Sequence, residues 1–316
     1  MNIFKRKIKS IKRVIKYILA PKKYYRSIQL CDDFSGYMAR MIDRYIPEQK
    51  RCDKSIACFS SYAYPEVYRI NRCKYKIFFT QENTHVEEAK WQEWENCHLW
   101  SNAPALSVGF DYIDHPKYIR FPYWMHHVFS SETTMNQVVS FVKLYNHSDA
   151  TNRTKDCAFV CRNDYFGDRA QLADLVAQIM PLSYPSKFRH NDDDLFGKYK
   201  DNKIAYLQQF KFNLCPENSN NRGYVTEKIF EAIKAGCVPI YWGNEGYPEP
   251  DILNPKAIVY LDKDNPEEGL ALLRKLYDNP EAYAEFASQP RFLPGAEEQI
   301  CAYYLRLEQK LKEVLV

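Results

Sequence analysis

The 316-residue sequence lacks the short motifs that mark several large classes of protein. Its ten cysteines include no CxxC pair, which excludes zinc ribbons and thioredoxin-like redox sites. Its ten glycines form neither GxGxxG nor GxxxxGKS/T, so the chain has no dinucleotide fingerprint and no P-loop. The composition, 46% hydrophobic and 15% aromatic, is that of a globular protein long enough for two domains.

Long apolar runs are also missing. A secretory signal needs an unbroken apolar core of about seven residues and a membrane span needs about twenty. No segment reaches either length, and the cysteines are scattered in a way that favours reduced thiols. We therefore expect a protein that stays in the cytoplasm.

Acidic side chains are absent from the first 30 residues, which hold ten lysines and arginines. The rest of the chain carries 34 basic and 40 acidic side chains, a net charge of −6, so the overall charge of +4 comes from the N-terminus alone. A negatively charged body is a poor match for nucleic acid, and we expect no nucleic-acid partner.

Apolar residues in the N-terminal segment recur at steps of four, three, four and three, at Phe4, Ile8, Ile11, Ile15 and Ile18. This spacing predicts a basic amphipathic helix within residues 1–30. Such a helix favours peripheral contact with the anionic inner face of the cytoplasmic membrane, through residues 1–26. A helix that is solvated, or packed on a partner, is the alternative.

After residue 30, short apolar runs alternate with helical patterns, which predicts α/β sheets with crossover connections. The polar, aperiodic residues 146–155 are the best candidate for a linker. We predict two doubly wound domains, 31–150 and 151–295, facing across a cleft at the carboxyl ends of their strands, followed by a C-terminal helix over 296–316. Strands are predicted at 55–59, 75–80, 105–110, 118–121, 157–161, 212–215, 237–242 and 257–261.

The most informative segment is residues 211–243, KFNLCPENSNNRGYVTEKIFEAIKAGCVPIYWG. An apolar strand, a polar loop, a helix capped by Thr226 and ended by Gly236, and a second strand together predict a βαβ unit. The helix begins at the carboxyl end of the first strand. Free backbone N–H groups, the helix dipole and Lys228 all favour phosphate oxygens there.

Four side chains in this segment suit a nucleotide-sugar. Glu227 can accept both hydroxyls of a ribose, while Lys228 can pair with a phosphate. Asn218 and Tyr224 offer an amide, a phenol and a ring face to a sugar or a base. A Glu-Lys pair at a helix start is by itself more often a solvated terminus, so the residue types alone predict a generic anion site.

The same run strongly resembles the donor-site motif of the α1,3/4-fucosyltransferase family, which has the form FNLCxEN, GYVTEK and PIYWG in succession. The resemblance implies a GT-B fold and inverting transfer of L-fucose from GDP-fucose to a hydroxyl of an acceptor glycan, of the bacterial lipopolysaccharide, O-antigen or capsule type. It also implies that residues 151–295 bind the donor, through Asn218, Tyr224, Glu227 and Lys228, and that residues 31–150 bind the acceptor.

Residues 75–83, YKIFFTQEN, are similar to the FxTxEN segment of that family, and the match implies that Glu82 is the catalytic base. Gln81 stands where many bacterial relatives have glycine. The residue pattern agrees with the assignment, because the predicted strand ends at Thr80 and places Glu82 in the loop at its carboxyl end.

Residues 157–169, CAFVCRNDYFGDR, are similar to the first strand and loop of the family's donor domain. The match implies that Arg169 contacts the diphosphate, with Arg162 and Arg153 as competitors. A basic side chain in a first helical turn opposes the helix dipole, which is a separate reason to expect an anion nearby.

The mechanism implied is a single displacement, in which Glu82 removes a proton from the acceptor hydroxyl, that oxygen attacks the anomeric carbon, and GDP leaves from the opposite face. Lys228, Arg169 and the helix N-terminus are expected to stabilise the leaving diphosphate, so we expect no metal and no further cofactor. The run of three aspartates at 192–194 reads as a solvated turn.

Trp91, Trp94 and Trp100 either stack on acceptor sugars or belong to the core. Two other functions stay open on the sequence: transfer of another sugar from a GDP donor, and a non-catalytic adaptor at a membrane surface that has kept its nucleotide site.

Overall fold

The computed structural model describes residues 3–32, 35–53, 55–80, 82, 83, 85, 105–148 and 153–316. They form two compact units, unit 1 with Met1–Thr133 and Ala302–Val316, and unit 2 with Thr134–Cys301. Each unit is built on its own sheet, which confirms the predicted α/β class. Trp91, Trp94 and Trp100 lie outside the described residues.

Unit 1 places short, mostly buried strands between helices. In chain order its elements are α1 (Ile3–Leu19), β1 (Lys23–Tyr25), β2 (Ile28–Cys31), α2 (Tyr37–Tyr45), β3 (Ile56–Ser60), α3 (Pro65–Ile70), β4 (Tyr75–Phe79), β5 (Leu106–Gly109), β6 (Tyr118–Arg120) and α4 (Met125–Val128). The six strands lie in sequence order, and β1 is antiparallel to β2 whereas the other pairs are parallel. All residues of β3 and β5 are buried, as expected for central parallel strands covered on both faces.

Unit 2 contains α5 (Met135–Tyr145), β7 (Lys155–Ala158), α6 (Asp168–Ala177), β8 (Leu182–Ser183), α7 (Asp194–Gly197), α8 (Lys203–Leu207), β9 (Phe210–Leu214), α9 (Glu227–Ala235), β10 (Val238–Tyr241), β11 (Val259–Tyr260), α10 (Glu267–Asp278), α11 (Pro280–Ala287) and the start of α12 (Ala296–Leu315). Its strands are all parallel, in the order β11-β10-β9-β7-β8. The eight predicted strands are confirmed to within a few residues, while β1, β2 and β8 were missed because they are only three, four and two residues long.

The N-terminal segment differs from the prediction of one helical region over residues 1–30. The helix α1 ends at Leu19, just before Pro21, and residues 23–31 turn back as a hairpin that joins the sheet. Arg26 takes a left-handed backbone conformation, with φ at 49°, at the tip of that hairpin. Among the described residues, no helix combines the length and the apolarity needed to cross a bilayer.

The boundary between the units also differs from the predicted boundary at 150/151. It falls at Thr133/Thr134, where Thr134 and Gln137 form a capping box that starts α5. The helix α5 packs on unit 2, because the Phe141 and Phe292 rings lie 6.0 Å apart. At the other end of the chain, α12 returns to unit 1, where the Tyr304 ring packs 5.6 Å from that of Phe121.

Candidate functional site

The carboxyl ends of β7 and β9 meet where the order of strands reverses, since the chain passes from β7 to β8 on one side and then to β9 on the other. Ligands of doubly wound sheets bind at such a switch point. Here a crevice with about 10 Å³ of free volume is lined by the ends of both strands and by Arg169, Lys203 and Lys228. Three cationic side chains in one crevice favour an anion there, and two of them, Lys203 and Lys228, are paired with Glu231 and Glu217 in this structure.

Arg169 lies in the first turn of α6 and reaches back over the crevice. Its guanidinium donates to the carbonyl oxygen of Asn163 at 2.6 Å and to the side-chain oxygen of Asn218. Asn218 is an exposed residue of the loop after β9. The structure therefore brings together two residues that the sequence singled out in separate segments.

The two competing arginines have other surroundings. Arg153 donates to the carbonyl oxygens of Gln208, Phe210 and Ala235, at 3.1, 2.9 and 2.6 Å, and so ties the segment before β7 to the start of β9 and the end of α9. Arg162 lines the neighbouring cavity described below. Of the three arginines, Arg169 lines the crevice at the switch point.

Lys228 lies in the first turn of α9, where it shares a buried network with Glu217. Its ammonium donates to a Glu217 carboxylate oxygen at 3.1 Å and to the Thr226 hydroxyl at 2.9 Å. Burial alone would lower the pKa of Lys228, but the Glu217 and Glu227 carboxylates outweigh burial and raise that pKa above its ordinary value. Lys228 is therefore a fixed positive charge at neutral pH.

Glu217 was not singled out by the sequence, although it is fully buried. Its oxygens also accept from the Thr226 amide and hydroxyl at 2.8 and 2.7 Å, and from the Tyr241 hydroxyl at 3.4 Å. Thr226 is the N-cap residue of α9, as predicted. Its hydroxyl, however, donates to Glu217 and accepts from the Lys228 ammonium, and it makes no capping hydrogen bond with the helix backbone.

Position 243 requires glycine because it lies against the Glu217 side chain of the same network. Its φ is +139°, and a Cβ atom there would lie 2.7 Å from Cγ of Glu217. Two further contacts join the loop before α9 to the loop after β10: Asn244 accepts from the Gly223 amide at 2.6 Å, and Asn220 accepts from the Glu245 amide at 2.6 Å. The site is thus held by its own loops.

Asn213 is a second residue that sequence reasoning missed. It lies in β9, is 3% exposed, and lines the crevice. Its side-chain oxygen is buried and has no hydrogen-bond partner among the residues that the structure describes. An amide inside the apolar run FNLC was the available signal, because buried polar groups normally have partners.

The other two predicted donor residues are less exposed than expected. Tyr224 is 1% exposed, so its ring packs inside unit 2 in this conformation and does not present a face to a ligand. Glu227 is the first residue of α9 and is half-buried.

A larger cavity of about 750 Å³ adjoins the crevice and shares Val160 and Lys203 with it. It lies at the carboxyl ends of β7 and β8. Its walls combine the apolar Leu195 and Phe196 with the basic Arg162 and Lys187. A cavity of this size is within the range of about 300–1,000 Å³ typical of small-molecule sites.

The aspartates at 192–194 do not form the predicted solvated turn as a whole. Asp192 and Asp194 accept from the Lys155 ammonium at 3.2 and 3.0 Å, and Asp192 also accepts from the Tyr206 hydroxyl at 3.0 Å. These contacts fix the start of β7, and among the described residues no group of three potential metal-ligating side chains comes together.

Glu82 lies in unit 1, after the end of β4. Its carboxylate accepts from the Tyr62 hydroxyl at 2.7 Å. Tyr62 belongs to the turn after β3, where its amide donates to the Ser60 hydroxyl at 3.1 Å. Burial, followed by the contact with Glu82, raises the pKa of Tyr62 far above the physiological range, so its phenol stays protonated and acts as the donor.

Comparison with known proteins identifies the second unit. Residues 150–293 match the family model described as glycosyltransferase family 10 (fucosyltransferase), C-terminal part. This part of the chain is therefore similar to the C-terminal part of the fucosyltransferase family. The α-(1,3)-fucosyltransferase FucT of Helicobacter pylori is 27% identical over 237 residues, which cover 66% of this chain and 46% of that protein.

Further fucosyltransferases match over shorter stretches. The α-(1,4)-fucosyltransferase of Arabidopsis thaliana is 34% identical over 91 residues, 28% of this chain and 22% of that protein. The chain thus spans less than half the length of the curated relatives it matches. The crystal structure of an α1,3-fucosyltransferase with GDP-fucose has a TM-score of 0.53 at 22% identity, covering 80% of this chain and 78% of the other, and this likeness confirms the GT-B fold.

Proposed function

We propose that this protein transfers L-fucose from GDP-fucose to a hydroxyl of an acceptor glycan, with inversion, as an α1,3/4-fucosyltransferase-like enzyme. The observation that carries the proposal is the crevice at the switch point of unit 2, where Arg169, Lys203 and Lys228 converge within the segment that matches the family. A diphosphate needs such fixed cations, and one structural neighbour, an α1,3-fucosyltransferase, was crystallised with GDP-fucose.

The diphosphate would lie against Arg169 and Lys228, with Asn218 as a further donor contact and Glu227 toward the ribose, while the buried Tyr224 would support the loop from inside unit 2. As the bond to fucose breaks, negative charge grows on the leaving GDP. Lys228 is already charged and held by Glu217, so it stabilises that charge without having to reorganise.

The base of the nucleotide would enter the 750 Å³ cavity that adjoins the crevice. Phe196 is 52% exposed and lines this cavity, so its ring is available to stack on a purine. The shared wall at Val160 and Lys203 makes one continuous surface for base and diphosphate.

Glu82 is proposed as the base that removes the proton from the acceptor hydroxyl. The oxygen of that hydroxyl then attacks the anomeric carbon in a single displacement, and GDP leaves from the opposite face. The contact with Tyr62 supports this role, because it orients the carboxylate and favours its ionised form. Glu82→Gln keeps the shape and removes the basic oxygen, so turnover should fall by at least about a hundredfold while GDP-fucose still binds.

We propose that the crevice cations take the place of a divalent metal, so activity in EDTA should equal activity in Mg²⁺. We also propose a cytoplasmic enzyme that works at the membrane surface on a glycan of the lipopolysaccharide, O-antigen or capsule type. All nine cysteines among the described residues are free thiols, the usual state in the cytoplasm. The bacterial relative named above also aligns over 66% of this chain.

A glycan array developed with GDP-fucose and, in parallel, with GDP-mannose tests the proposal. Transfer of fucose alone supports it, and the glycans that react give the acceptor and the linkage. Transfer from GDP-mannose in place of GDP-fucose would assign another donor. Binding of GDP without transfer or hydrolysis across the array would instead assign a non-catalytic adaptor.

A further inference from the structure

The helix α1 presents its apolar residues to the solvent. Ile8, Ile11, Ile15 and Ile18 are 40%, 58%, 50% and 63% exposed, and Leu19 at the end of the helix is 77% exposed. A surface helix of a globular protein normally turns such a stripe toward the core. In α1 the orientation is reversed, so the stripe is available to a partner.

The opposite side of α1 is the one that unit 1 holds. The Tyr17 hydroxyl accepts from the side-chain amides of Gln29 and Asn71 at 3.0 and 2.9 Å. Arg13 donates to Glu66 at 3.4 Å, and its guanidinium lies 4.1 Å from the centre of the Tyr64 ring. These contacts fix the rotation of the helix, so the outward position of the isoleucines is a property of the fold of unit 1.

Lysines border the isoleucine stripe along one side. Lys9, Lys12 and Lys16 each follow a stripe residue directly, which places all three about 100° around the helix from the stripe. All three are exposed. The apolar surface continues past the helix, because Ile18 and the 57% exposed Tyr24 line one cavity of about 540 Å³ together with Lys22.

We infer that this stripe and its lysine border form a docking face for an anionic phospholipid leaflet. The isoleucines would enter the boundary between head groups and acyl chains, while the lysines contact the lipid phosphates. The charge pattern favours a lipid surface over a protein partner. A row of lysines beside a narrow aliphatic stripe can bind an anionic surface without matching a particular shape, and a phospholipid leaflet is such a surface. The inference goes beyond the proposed transfer reaction and does not depend on it.

Sedimentation of the full chain with vesicles tests the inference. Phosphatidylcholine vesicles are compared with vesicles that contain phosphatidylglycerol as well, and the second kind should bind the protein much more tightly. The variant Ile11→Ser/Ile15→Ser should weaken that binding by about tenfold or more, since each exposed side chain loses its burial in lipid. Lys12→Glu/Lys16→Glu should weaken it by at least about fivefold per lysine, and added salt should act in the same direction.

Matched controls lie on unit 2. Val139 and Leu144 are 44% and 68% exposed, so Val139→Ser/Leu144→Ser removes comparable apolar surface and should bind vesicles as wild type does. Lys143→Glu/Lys275→Glu is the control for charge, because both lysines are exposed on the same unit. The thermal midpoint of each variant is measured to show that it is folded, as expected for side chains that face water.

The inference is overturned if the wild-type protein does not bind anionic vesicles or binds neutral vesicles equally well. It is also overturned if Ile11→Ser/Ile15→Ser binds anionic vesicles as tightly as the control variants do. Fucose transfer to a soluble acceptor, measured without vesicles, should be equal for wild type and Ile11→Ser/Ile15→Ser. A failure of the proposed chemistry would appear in that assay, and a failure of membrane docking would appear in the sedimentation assay alone.

Discussion

Tyr62→Phe removes one hydroxyl group from the surroundings of Glu82 and leaves the ring in place. In the structure that hydroxyl donates to Glu82 at 2.7 Å and stays protonated because burial and the neighbouring carboxylate raise its pKa. The hydrogen bond stabilises the ionised carboxylate, which is the form that a general base needs. Without it, a higher pH is needed to keep Glu82 ionised.

The size of the effect follows from exposure. Tyr62 is 38% exposed, so water competes for both groups and the contact is worth no more than an ordinary hydrogen bond, about 0.5–1.5 kcal/mol. Since one pH unit corresponds to about 1.4 kcal/mol, the acidic limb of the kcat/KM profile should move up by about half a unit to one unit. Near neutral pH the loss of activity should stay within about tenfold.

The assay is fucose transfer measured from about pH 3.3 to about pH 7.5, which is about one unit below the ordinary glutamate pKa of about 4.3 and about one unit above the ordinary histidine pKa of about 6.5. Tyr64→Phe is the matched control, because it removes a hydroxyl two residues away whose ring contacts Arg13. In the Glu82→Gln background, Tyr62→Phe should have no further effect on the residual rate. Superimposable profiles for Tyr62→Phe and wild type would refute the reasoning, whereas an active Glu82→Gln enzyme would refute the base assignment itself.

Three further predictions concern unit 2. Arg169→Ala should lower kcat/KM for fucose transfer by about a hundredfold, because one fixed hydrogen-bond donor to the diphosphate is lost. The control Arg153→Lys should not lower kcat/KM in this way. Equal kcat/KM for Arg169→Ala and wild type would contradict the role of Arg169 in the site. Glu217→Gln should lower the free energy of unfolding by about 1.5–3 kcal/mol in urea titrations, since the half-buried Lys228 ammonium loses its bond to the Glu217 carboxylate, and an unchanged midpoint would count against the network. Gly243→Ala should cost about 1–3 kcal/mol through its contact with Glu217 and its strained φ, whereas Gly197→Ala, with open space around its Cβ position, should cost little by the same titration.

The sequence pattern was a good guide wherever local chemistry decides structure. Alternating apolar runs placed the eight predicted strands, and Gly236 ends α9 in the left-handed conformation that glycine allows. The βαβ segment and its helix start were recognisable for the same reason. The hairpin over residues 23–31 was not, because its two short strands depend on a neighbouring strand for their stability.

The residues of the site also divide into those that the sequence pattern could identify and those that it could not. Arg169 and Lys228 could be named from their positions at helix starts, and both line the crevice. Their partners could not be named: Asn163 and Asn218 meet Arg169 from different loops, and the loop carboxylate Glu217 holds Lys228. Such contacts join residues that packing, not sequence spacing, brings within hydrogen-bond distance.

By itself the sequence determined the class of fold, the donor motif and the amphipathic character of the N-terminal helix, because periodicity and residue type are local properties. Only the tertiary structure decided that Glu217 is buried beneath Lys228 and that Tyr62 donates to Glu82. It also decided that the isoleucines of α1 face outward. A helical pattern fixes which residues share a face, but the direction of that face depends on contacts such as those of Tyr17 with Gln29 and Asn71, which form only when the chain has folded.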